Sequence, residues 1–355
     1  MRGGRFAELL VVVVGCLAGG ALQCPRENRT PEQSRGAAIY ARMCAVCHGV
    51  SGEGYAADHA PALAHPAFLA SASDEIIRKS VADGRAGTTM SAWSRSRGGP
   101  LDAEDIAAVV AFLRSWQRSA PVELDESPLS GDSTRGAPVF ARECAGCHGA
   151  HGVEGPEVHV GSYDLLDGAS NGFLRLAIRD GRPGTPMRAF GAILGQQGVD
   201  DMIAVLRRLR PAVAERRFWP AEQTPPIPLG PVPLNPHGPE PVGFHALPAM
   251  TPVDVIKAQL DRGARMGILD ARAPSDYADG HIAGAVSVPF YDPDPYISSL
   301  PANTWLVCYC ACPHAESGQL AAKLVSNHFA KVTVLDEGLW LWKARGYPIH
   351  SGTDP

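Results

Sequence analysis

The stretch MCAVCHG at residues 43–49 has a counterpart one hundred positions further along the chain, ECAGCHG at residues 143–149. Each copy places two cysteines three positions apart, with a histidine directly after the second cysteine. A single copy would also fit a redox-active dithiol or one half of a zinc site. Two copies in matching surroundings indicate that both motifs serve the same chemical purpose.

The similarity between the two halves extends well beyond these motifs. SRGAAIYARM before the first motif matches TRGAPVFARE before the second. Further on, VADGRAGTTMSAW at 81–93 matches IRDGRPGTPMRAF at 178–190. The offset between the copies drifts slightly, so the differences in length are expected to lie in loops. Residues 30–120 and 130–212 are therefore predicted to be duplicated domains.

Helical periodicity accompanies the repeat. Asp102 is a good N-cap, and the apolar residues after it recur at helical spacing on one face. These apolar residues are Ile106, Val109, Val110 and Leu113. Gly36 and Gly136 lie at equivalent positions of the first helix, which predicts close packing against the last helix of each copy. The predicted order in each copy is helix, cysteine motif, loop, helix, methionine loop and helix.

Cys-x-x-Cys-His is the attachment signature of c-type haem. The two thiols bond to one edge of the porphyrin, and the adjacent histidine turns beneath the ring to ligate the iron. Covalent attachment retains the cofactor in a domain too small to enclose it. We therefore predict two covalently attached c-type haems. The attachment residues are Cys44, Cys47, Cys144 and Cys147, and the iron-ligating histidines are His48 and His148.

The sixth iron ligand is predicted to be a methionine in each copy. GRAGTTM ends at Met90 and GRPGTPM ends at Met187, so the two methionines occupy equivalent positions of a repeated loop. Coordination by histidine and methionine raises the reduction potential and leaves no open coordination site. A centre of this kind transfers electrons and does not bind substrate at the iron.

On these paired motifs and loops, the region resembles two tandem class I cytochrome c domains, and the resemblance implies two all-α domains. In that family a proline carbonyl in the loop after the haem motif orients the axial histidine. Pro61 fits this role, and its counterpart in the second copy is Val158, with Pro156 two residues earlier. The resemblance therefore implies a somewhat different proximal side at the second haem.

The N-terminal segment MRGGRFAELLVVVVGCLAGGALQC has the layout of a secretory signal. Arg2 and Arg5 precede an apolar run that is too short to span a membrane. We predict that residues 1–24 are a signal and that lipid on Cys16 anchors a periplasmic protein to the membrane. One alternative is ordinary cleavage in the Ala18–Ala21 region, which leaves Cys24 near the N-terminus of a soluble exported protein. The other is retention of the segment as an anchor.

Composition limits the function classes. A length of 355 residues suits several compact domains, and a net charge of −5 lacks the basic excess expected of a nucleic-acid-binding protein.

Residues 213–250 are rich in proline, which excludes a helix or a central strand. An extended spacer of about 3.1 Å per residue is expected there. We predict a tether between domains, and the alternative is a spacer that docks along a domain surface.

Residues 251–352 show strands alternating with helices, which predicts an α/β domain with a mostly parallel sheet. The predicted strands are GILDA, AVSVP, WLVCYC and KVTVLD, and Thr251 is predicted to cap the first helix. LDARAPSDYADGHIAGAVSVPF and LDEGLWLWKARGYPIHSG resemble phrases of the rhodanese-like family. The resemblance implies that a cysteine at the end of the central strand carries sulfur as a persulfide. Trp340 and Trp342 are expected to be packing residues.

Two cysteines compete for that catalytic role. Cys310 follows Tyr309, as the family nucleophile often does, whereas counting back from the following helix favours Cys312. Cys308 is expected to be buried in the strand. The loop lacks the usual glycine and arginine of the family, and Glu316 is expected to repel a dianion such as thiosulfate.

Together these features predict an exported dihaem cytochrome that transfers electrons and takes up sulfane sulfur through Cys310 or Cys312. Its expected partners are redox proteins of a respiratory chain and a sulfane-sulfur donor or acceptor. One alternative is a pure electron carrier with an idle or redox-sensing rhodanese-like module. Another is a dihaem sulfur-oxidising enzyme, which requires an open or unusual haem ligand.

Overall fold

The computed structural model describes residues 29–57, 60–85, 88–153, 155–209, 232–311 and 314–355. The predicted signal with Cys16, part of the proline-rich segment, and Cys312 lie outside the described residues. Within the described part of the chain, no helix is both long enough and apolar enough to cross a membrane.

The first helical unit begins with a helix that leads directly into the cysteine motif. Its elements are α1 (Pro31–Met43), α2 (Ala45–His48), α3 (Pro66–Ser71), α4 (Asp74–Asp83), a 3-10 turn (Arg95–Arg97) and α5 (Ala103–Ser115). Asp102 caps α5 as predicted, because its carboxylate accepts the backbone N–H of Asp105 at 2.8 Å. Asp105 returns the contact to the backbone N–H of Asp102, which completes a capping box.

The second helical unit repeats this order of elements. It contains α6 (Ser133–Glu143), α7 (Ala145–His148), α8 (Tyr163–Gly168), α9 (Asn171–Asp180) and α10 (Gly191–Leu209). The helical path of α10 is interrupted at Gly195, whose φ of 63° is one that glycine adopts without strain. The described elements of both units thus follow the predicted pattern.

Close crossing of the first and last helices is confirmed in both units. A Cβ atom added at Gly36 would lie 1.9 Å from the carbonyl oxygen of Ala108 in α5. A Cβ atom added at Gly136 would lie 2.6 Å from the carbonyl oxygen of Asp201 in α10. Both distances are shorter than any real contact, so only glycine allows these backbones to approach so closely.

The two units pack against each other through polar contacts. Lys79 Nζ lies 2.7 Å from the Asp167 carboxylate across the boundary. His65 Nε2 lies 2.8 Å from the carbonyl oxygen of Pro183, which belongs to the methionine loop of the second unit. The loop that follows each cysteine motif therefore lies near the neighbouring unit.

The C-terminal domain is an α/β structure. Its elements are α11 (Val253–Asp261), β1 (Met266–Asp270), α12 (Pro274–Asp279), β2 (His281–Ile282), β3 (Ala285–Ser287), α13 (Asp294–Ile297), β4 (Trp305–Tyr309), α14 (Ala315–Ser326), β5 (Val332–Val334), α15 (Gly338–Ala344) and β6 (Ile349–His350). The main sheet has the strand order β3-β1-β4-β5, and each neighbouring pair is parallel. The predicted parallel sheet is confirmed, and β4, which contains Cys308 and directly precedes Cys310, is one of its two central strands.

Thr251 does not cap α11, so that prediction is wrong. Its hydroxyl lies 2.8 Å from the hydroxyl of Thr333 in β5 and is fully buried. The carboxylate of Glu337 instead accepts the N–H of Val253 at 3.1 Å. Thr251 pairs with the chain at Leu335 as an isolated parallel bridge, and that tertiary contact takes its side chain away from the helix end.

The described part of the proline-rich segment, residues 232–250, docks on the C-terminal domain and is not a free tether. The side-chain amide of Asn235 donates to the carbonyl of Gly263 at 2.7 Å. The carbonyl of Pro239 accepts the N–H of Arg265 at 2.9 Å, and Val232 is buried. Proline removes a donor but keeps an acceptor, so this stretch can pack along a surface without regular structure.

Replacing Gly36 with alanine should destabilise the first helical unit. The new methyl group would overlap backbone atoms of α5, which cannot move aside as a flexible side chain can, so a cost of about 1–3 kcal/mol is expected. Chemical unfolding monitored by helical circular dichroism measures the change. Gly318→Ala is the control, since nothing lies within 4 Å of its added Cβ atom. Equal effects of the two changes would contradict the close crossing.

Candidate functional site

A cavity of about 500 Å³ opens in the first helical unit, and all four predicted haem-binding residues lie on its wall. These are Cys44, Cys47, His48 and Met90. Much of the remaining wall is apolar and includes Met43, Phe68, Ile77, Val81 and Leu113. Residues separated by more than forty positions in sequence therefore meet around one space.

The histidines of both motifs are oriented by backbone carbonyls. His48 Nδ1 lies 2.9 Å from the carbonyl oxygen of Pro61, as predicted, and burial lowers the pKa of His48. His148 Nδ1 lies 2.9 Å from the carbonyl oxygen of Val158. The expected difference at the second copy is therefore wrong for this contact, because the acceptor is a backbone group that valine supplies as well as proline. Because the carbonyl engages Nδ1 in both units, Nε2 is the ring nitrogen that would ligate a metal.

The two methionine loops share one set of hydrogen bonds. The carbonyl of Met90 accepts the N–H of Arg85 at 2.9 Å, and the N–H of Met90 donates to the Thr88 hydroxyl at 3.1 Å. In the second unit the carbonyl of Met187 accepts the N–H of Arg182 at 2.7 Å, and its N–H donates to the Thr185 hydroxyl at 3.2 Å. The Gly-Arg-x-Gly-Thr-x-Met sequence thus encodes a braced turn that presents each methionine.

A second cavity, of about 290 Å³, holds the equivalent residues of the second unit. They are Cys144, Cys147, His148 and Met187. The two cavities share five wall residues: Pro61, Phe68, Arg85, Glu157 and Val158. They are therefore neighbours separated by a single layer of side chains.

The residues around both cavities fit a covalently attached haem. Each set offers two thiols, an oriented imidazole and a thioether around a largely apolar space. At the second cavity, Nη1 of Arg182 is buried without a hydrogen-bond partner among the described residues. An anionic group of a bound cofactor would satisfy such a buried cation. No group of three or more His, Cys, Asp or Glu side chains within the described ranges is arranged to hold a metal ion.

Cys310 lies directly after β4, at the end of the sheet where the chain turns towards α14. Its sulfur is fully buried and lies 3.3 Å from the hydroxyl of Ser317 in the first turn of α14. Cys308, inside β4, is also fully buried, and burial raises the pKa of its thiol, in agreement with its predicted place in the strand. Cys312 lies outside the described residues.

Buried polar contacts fix the strand end beside Cys310. The hydroxyl of Tyr309 donates to the carboxylate of Asp270 at 2.6 Å. Nη2 of Arg272 donates to the same carboxylate at 2.6 Å and to the carbonyl of Gly280 at 2.7 Å. Sequence reasoning did not assign this network, because neither the charge pair nor its burial shows in the pattern of apolar residues.

Glu316 is buried in the first turn of α14, with only 6% of its surface exposed. Burial, together with the nearby Cys310, raises the pKa of its carboxyl well above the ordinary range. Burial therefore favours the neutral form of this side chain, whereas the expected repulsion of a dianion requires its ionised form.

Glu316 also lies on the wall of the first cavity, together with Trp340 of α15. Trp342 packs in the core as predicted and donates its ring N–H to Pro348 at 3.0 Å. The packing role predicted for Trp340 is wrong, because 46% of its surface is exposed. The cavity with Cys47 and Met90 thus extends to the helix that follows Cys310.

Comparison with known families agrees with these three regions. The "Cytochrome c" family matches residues 33–117, and "Cytochrome C oxidase, cbb3-type, subunit III" matches residues 131–205. The "Rhodanese-like domain" family matches residues 252–345. The chain joins a cytochrome c region to a rhodanese-like domain. Its C-terminal domain belongs to the rhodanese-like family, and the cytochrome c region implies covalently bound c-type haem.

Individual relatives cover only parts of the chain. Thiosulfate sulfurtransferase GlpE from Pseudomonas entomophila is 38% identical over 23% of this chain and 72% of its own length. An HTH-type transcriptional regulator from Mycobacterium tuberculosis is 27% identical over 29% of this chain, and the chain spans about half of its length, 47%. The solved rhodanese-like domain of a protein from Anabaena sp. is 36% identical over 29% of this chain and 80% of that domain, with a TM-score of 0.27.

Replacing Glu316 with glutamine should remove a pH dependence of stability. The folded pKa is raised, so the folded state keeps a proton that the unfolded chain releases above the ordinary glutamate range. Stability therefore falls as pH rises, by up to about 1.4 kcal/mol per pH unit for one proton. The cysteine and acidic residues around it, Cys310, Asp276 and Asp270, favour the neutral form, and Arg272 opposes it.

Thermal unfolding at several pH values measures this effect. The stability of Glu316→Gln should equal that of the wild type near pH 4 and exceed it near pH 8. In the unfolded chain Glu316 is neutral, like glutamine, only at the lower pH. Glu123→Gln, which makes the same change at an exposed side chain, is the control. If the stability of the wild type instead rises relative to that of Glu316→Gln as the pH rises, the carboxyl is ionised in the folded protein.

Proposed function

We propose that this chain is an exported protein with two c-type haems that transfers electrons and accepts sulfane sulfur as a persulfide on Cys310. One observation carries the proposal: Glu316, in the helix that follows Cys310, lies on the wall of the cavity that holds Cys47 and Met90. The residues of the sulfur site and those of the first haem site therefore border one space. Export rests on the N-terminal segment, which lies outside the described residues.

Two haems are supported by two matching sets of residues. Each set combines a pair of cysteines, a histidine whose Nδ1 faces a backbone carbonyl, and a methionine held by a braced loop. A haem bound by histidine and methionine supplies a one-electron redox centre without an open site. The shared wall between the cavities favours short-range electron exchange between the two sites.

Sulfur uptake is supported by the position of Cys310. The N-terminus of α14 carries a positive partial charge that stabilises a thiolate at the end of β4. In the proposed step, the thiolate of Cys310 attacks the outer sulfur of a small persulfide R–S–SH. A new S–S bond forms, the original S–S bond breaks, and R–S⁻ leaves. No electron is gained or lost by the pair, so the step needs no separate oxidant.

Mass spectrometry of the intact mature protein tests the haem proposal. The wild type, made in a host with cytochrome c maturation, should carry two covalent haems. Replacing Cys144 and Cys147 together with alanine should leave one, because the second cavity then lacks both attachment thiols. Cys308→Ala, at the buried strand cysteine, is the control and should keep two. A wild type with one haem would refute the dihaem proposal.

Treatment with a small organic persulfide tests the sulfur proposal. The wild type should gain the mass of one sulfur atom, and Cys310→Ser should gain none, because no thiolate stands at the end of β4. Cys312→Ser should still gain the sulfur. If Cys312→Ser abolishes uptake and Cys310→Ser does not, the nucleophile is Cys312. If neither variant nor the wild type changes in mass, the sulfurtransferase proposal fails.

A pure electron carrier is the second candidate, and complete burial of the Cys310 sulfur favours it. In that case the rhodanese-like domain serves docking or redox sensing. Haem reduction by sulfide separates the two, when the wild type is compared with full-length Cys310→Ser: equal rates favour the carrier. A dihaem sulfur-oxidising enzyme instead requires an open ligand position, which optical spectra of either haem would reveal.

Membrane attachment and partners complete the proposal. Lipid on Cys16 would hold the protein at the periplasmic face of a membrane, and Cys16→Ala should release it into the soluble fraction. Electrons would then pass to redox proteins of a respiratory chain, and sulfur to or from a sulfane-sulfur carrier.

A further inference from the structure

The rhodanese-like domain makes three contacts with the loop that follows Met90. Ser91 Oγ donates to the Asp276 carboxylate at 2.6 Å. Ser275 Oγ donates to the carbonyl oxygen of Ala92 at 2.8 Å. The rings of Trp93 and Tyr291 meet edge to face, with centroids 5.5 Å apart. We call these three contacts the interdomain clamp.

The clamp is built from enclosed groups, so its hydrogen bonds are not weakened by water. Ser91 and Ser275 have only 2% and 4% of their surface exposed, and Trp93 has 5%. A hydrogen bond to an ionised carboxylate is stronger than one between neutral groups. Burial raises the pKa of the Asp276 carboxyl, and the hydrogen bond from Ser91 opposes that shift. Ser91 directly follows Met90 in the chain, so whatever fixes Ser91 also limits the movement of Met90.

The second unit provides an internal comparison. Arg188, Ala189 and Phe190 occupy the positions equivalent to the three clamp residues of the first unit. Arg188 is exposed and pairs with Glu143 at 2.8 Å, and its guanidinium lies over the ring of Phe190. Among the described residues, no hydrogen bond joins 188–190 to the rhodanese-like domain. Both methionine loops are therefore held from within their own units, and the Met90 loop is held by the rhodanese-like domain as well.

We infer that Asp276 and Ser275 are positioning residues that hold the Met90 loop in place and thereby set the strength of methionine ligation at the first haem site. The second site, with Met187, is independent of them. The inference rests on the proposed function, since it takes Met90 as an iron ligand. The rhodanese-like domain then does more than carry sulfur: its folded presence tunes one of two otherwise matched redox centres.

The physical basis is the freedom of the loop. Inside the first unit, Met90 is held by backbone contacts with Arg85 and Thr88, which are the same as those at Met187. The clamp adds a brace on the other side of the methionine. Methionine ligation raises the potential of a c-type haem, so a looser Met90 should lower the potential of that haem alone.

Variants of the loaded, full-length protein test the inference by spectroscopy. Asp276→Ala and Ser91→Ala each remove the same hydrogen bond from opposite domains. Both should weaken the far-red absorption band of methionine-ligated ferric haem by the share of one haem, and lower one of the two midpoint potentials. Asp276→Asn should restore most of both signals, because its side-chain oxygen still accepts from Ser91. Arg188→Ala, at the equivalent position of the second unit, is the control and should leave the first haem unchanged.

Hydrogen exchange of residues 88–93 adds a readout that does not depend on haem spectra. Exchange there should speed up in Asp276→Ala and Ser91→Ala, and residues 185–190 should stay as in the wild type. Unchanged band, potentials and exchange in both variants would overturn the inference, as would equal changes at both haems. Absence of haem from the wild type by mass would overturn the proposed function itself, so the two failures are distinguishable.

Discussion

The close crossing of the first and last helices is the backbone constraint on which each helical unit is built. At Gly36 the backbones of α1 and α5 approach so closely that no side chain fits between them. The cysteines and the histidine follow α1 directly, whereas the methionine loop leads into α5. The crossing therefore sets the distance between the wall that carries the thiols and the wall that carries the thioether. Gly136 does the same in the second unit.

From this constraint the relation between the two units follows. Each cavity opens towards the loop after its cysteine motif, and the two loops face each other across the boundary. Tyr55 of the first unit donates to Glu157 of the second at 3.3 Å, and both residues lie on the wall of the second cavity. The two helical units thus hold equivalent cavities that share part of their walls.

The rhodanese-like domain is joined to this pair through the Met90 loop and through α14. The end of β4, which precedes Cys310, is fixed by the buried carboxylate of Asp270. This carboxylate accepts hydrogen bonds from both Tyr309 and Arg272. Burial beside Cys310 also raises the pKa of the Glu316 carboxyl, which favours its neutral form.

Much of the fold and of the candidate sites could be predicted from the sequence, because local patterns encode them. The repeated Cys-x-x-Cys-His motifs, the Gly-Arg-x-Gly-Thr-x-Met loops and the Asp102 cap act within a few residues. The alternation of strands and helices predicted the parallel sheet for the same reason. Even the Pro61 carbonyl could be named, although the equal role of Val158 could not, since a backbone acceptor has no sequence signature.

What only the tertiary structure decided is which of these local elements meet. Thr251 was predicted to cap a helix but contacts Thr333 instead. Trp340 was predicted to pack in the core but lies on a cavity wall. Glu316 lies on the wall of a cavity of the first helical unit, and Asp276 accepts a hydrogen bond from Ser91. Both contacts join residues of different domains, and no spacing along the chain predicts them. Local chemistry is written in neighbouring residues, whereas burial and interdomain contacts arise only when the whole chain has packed.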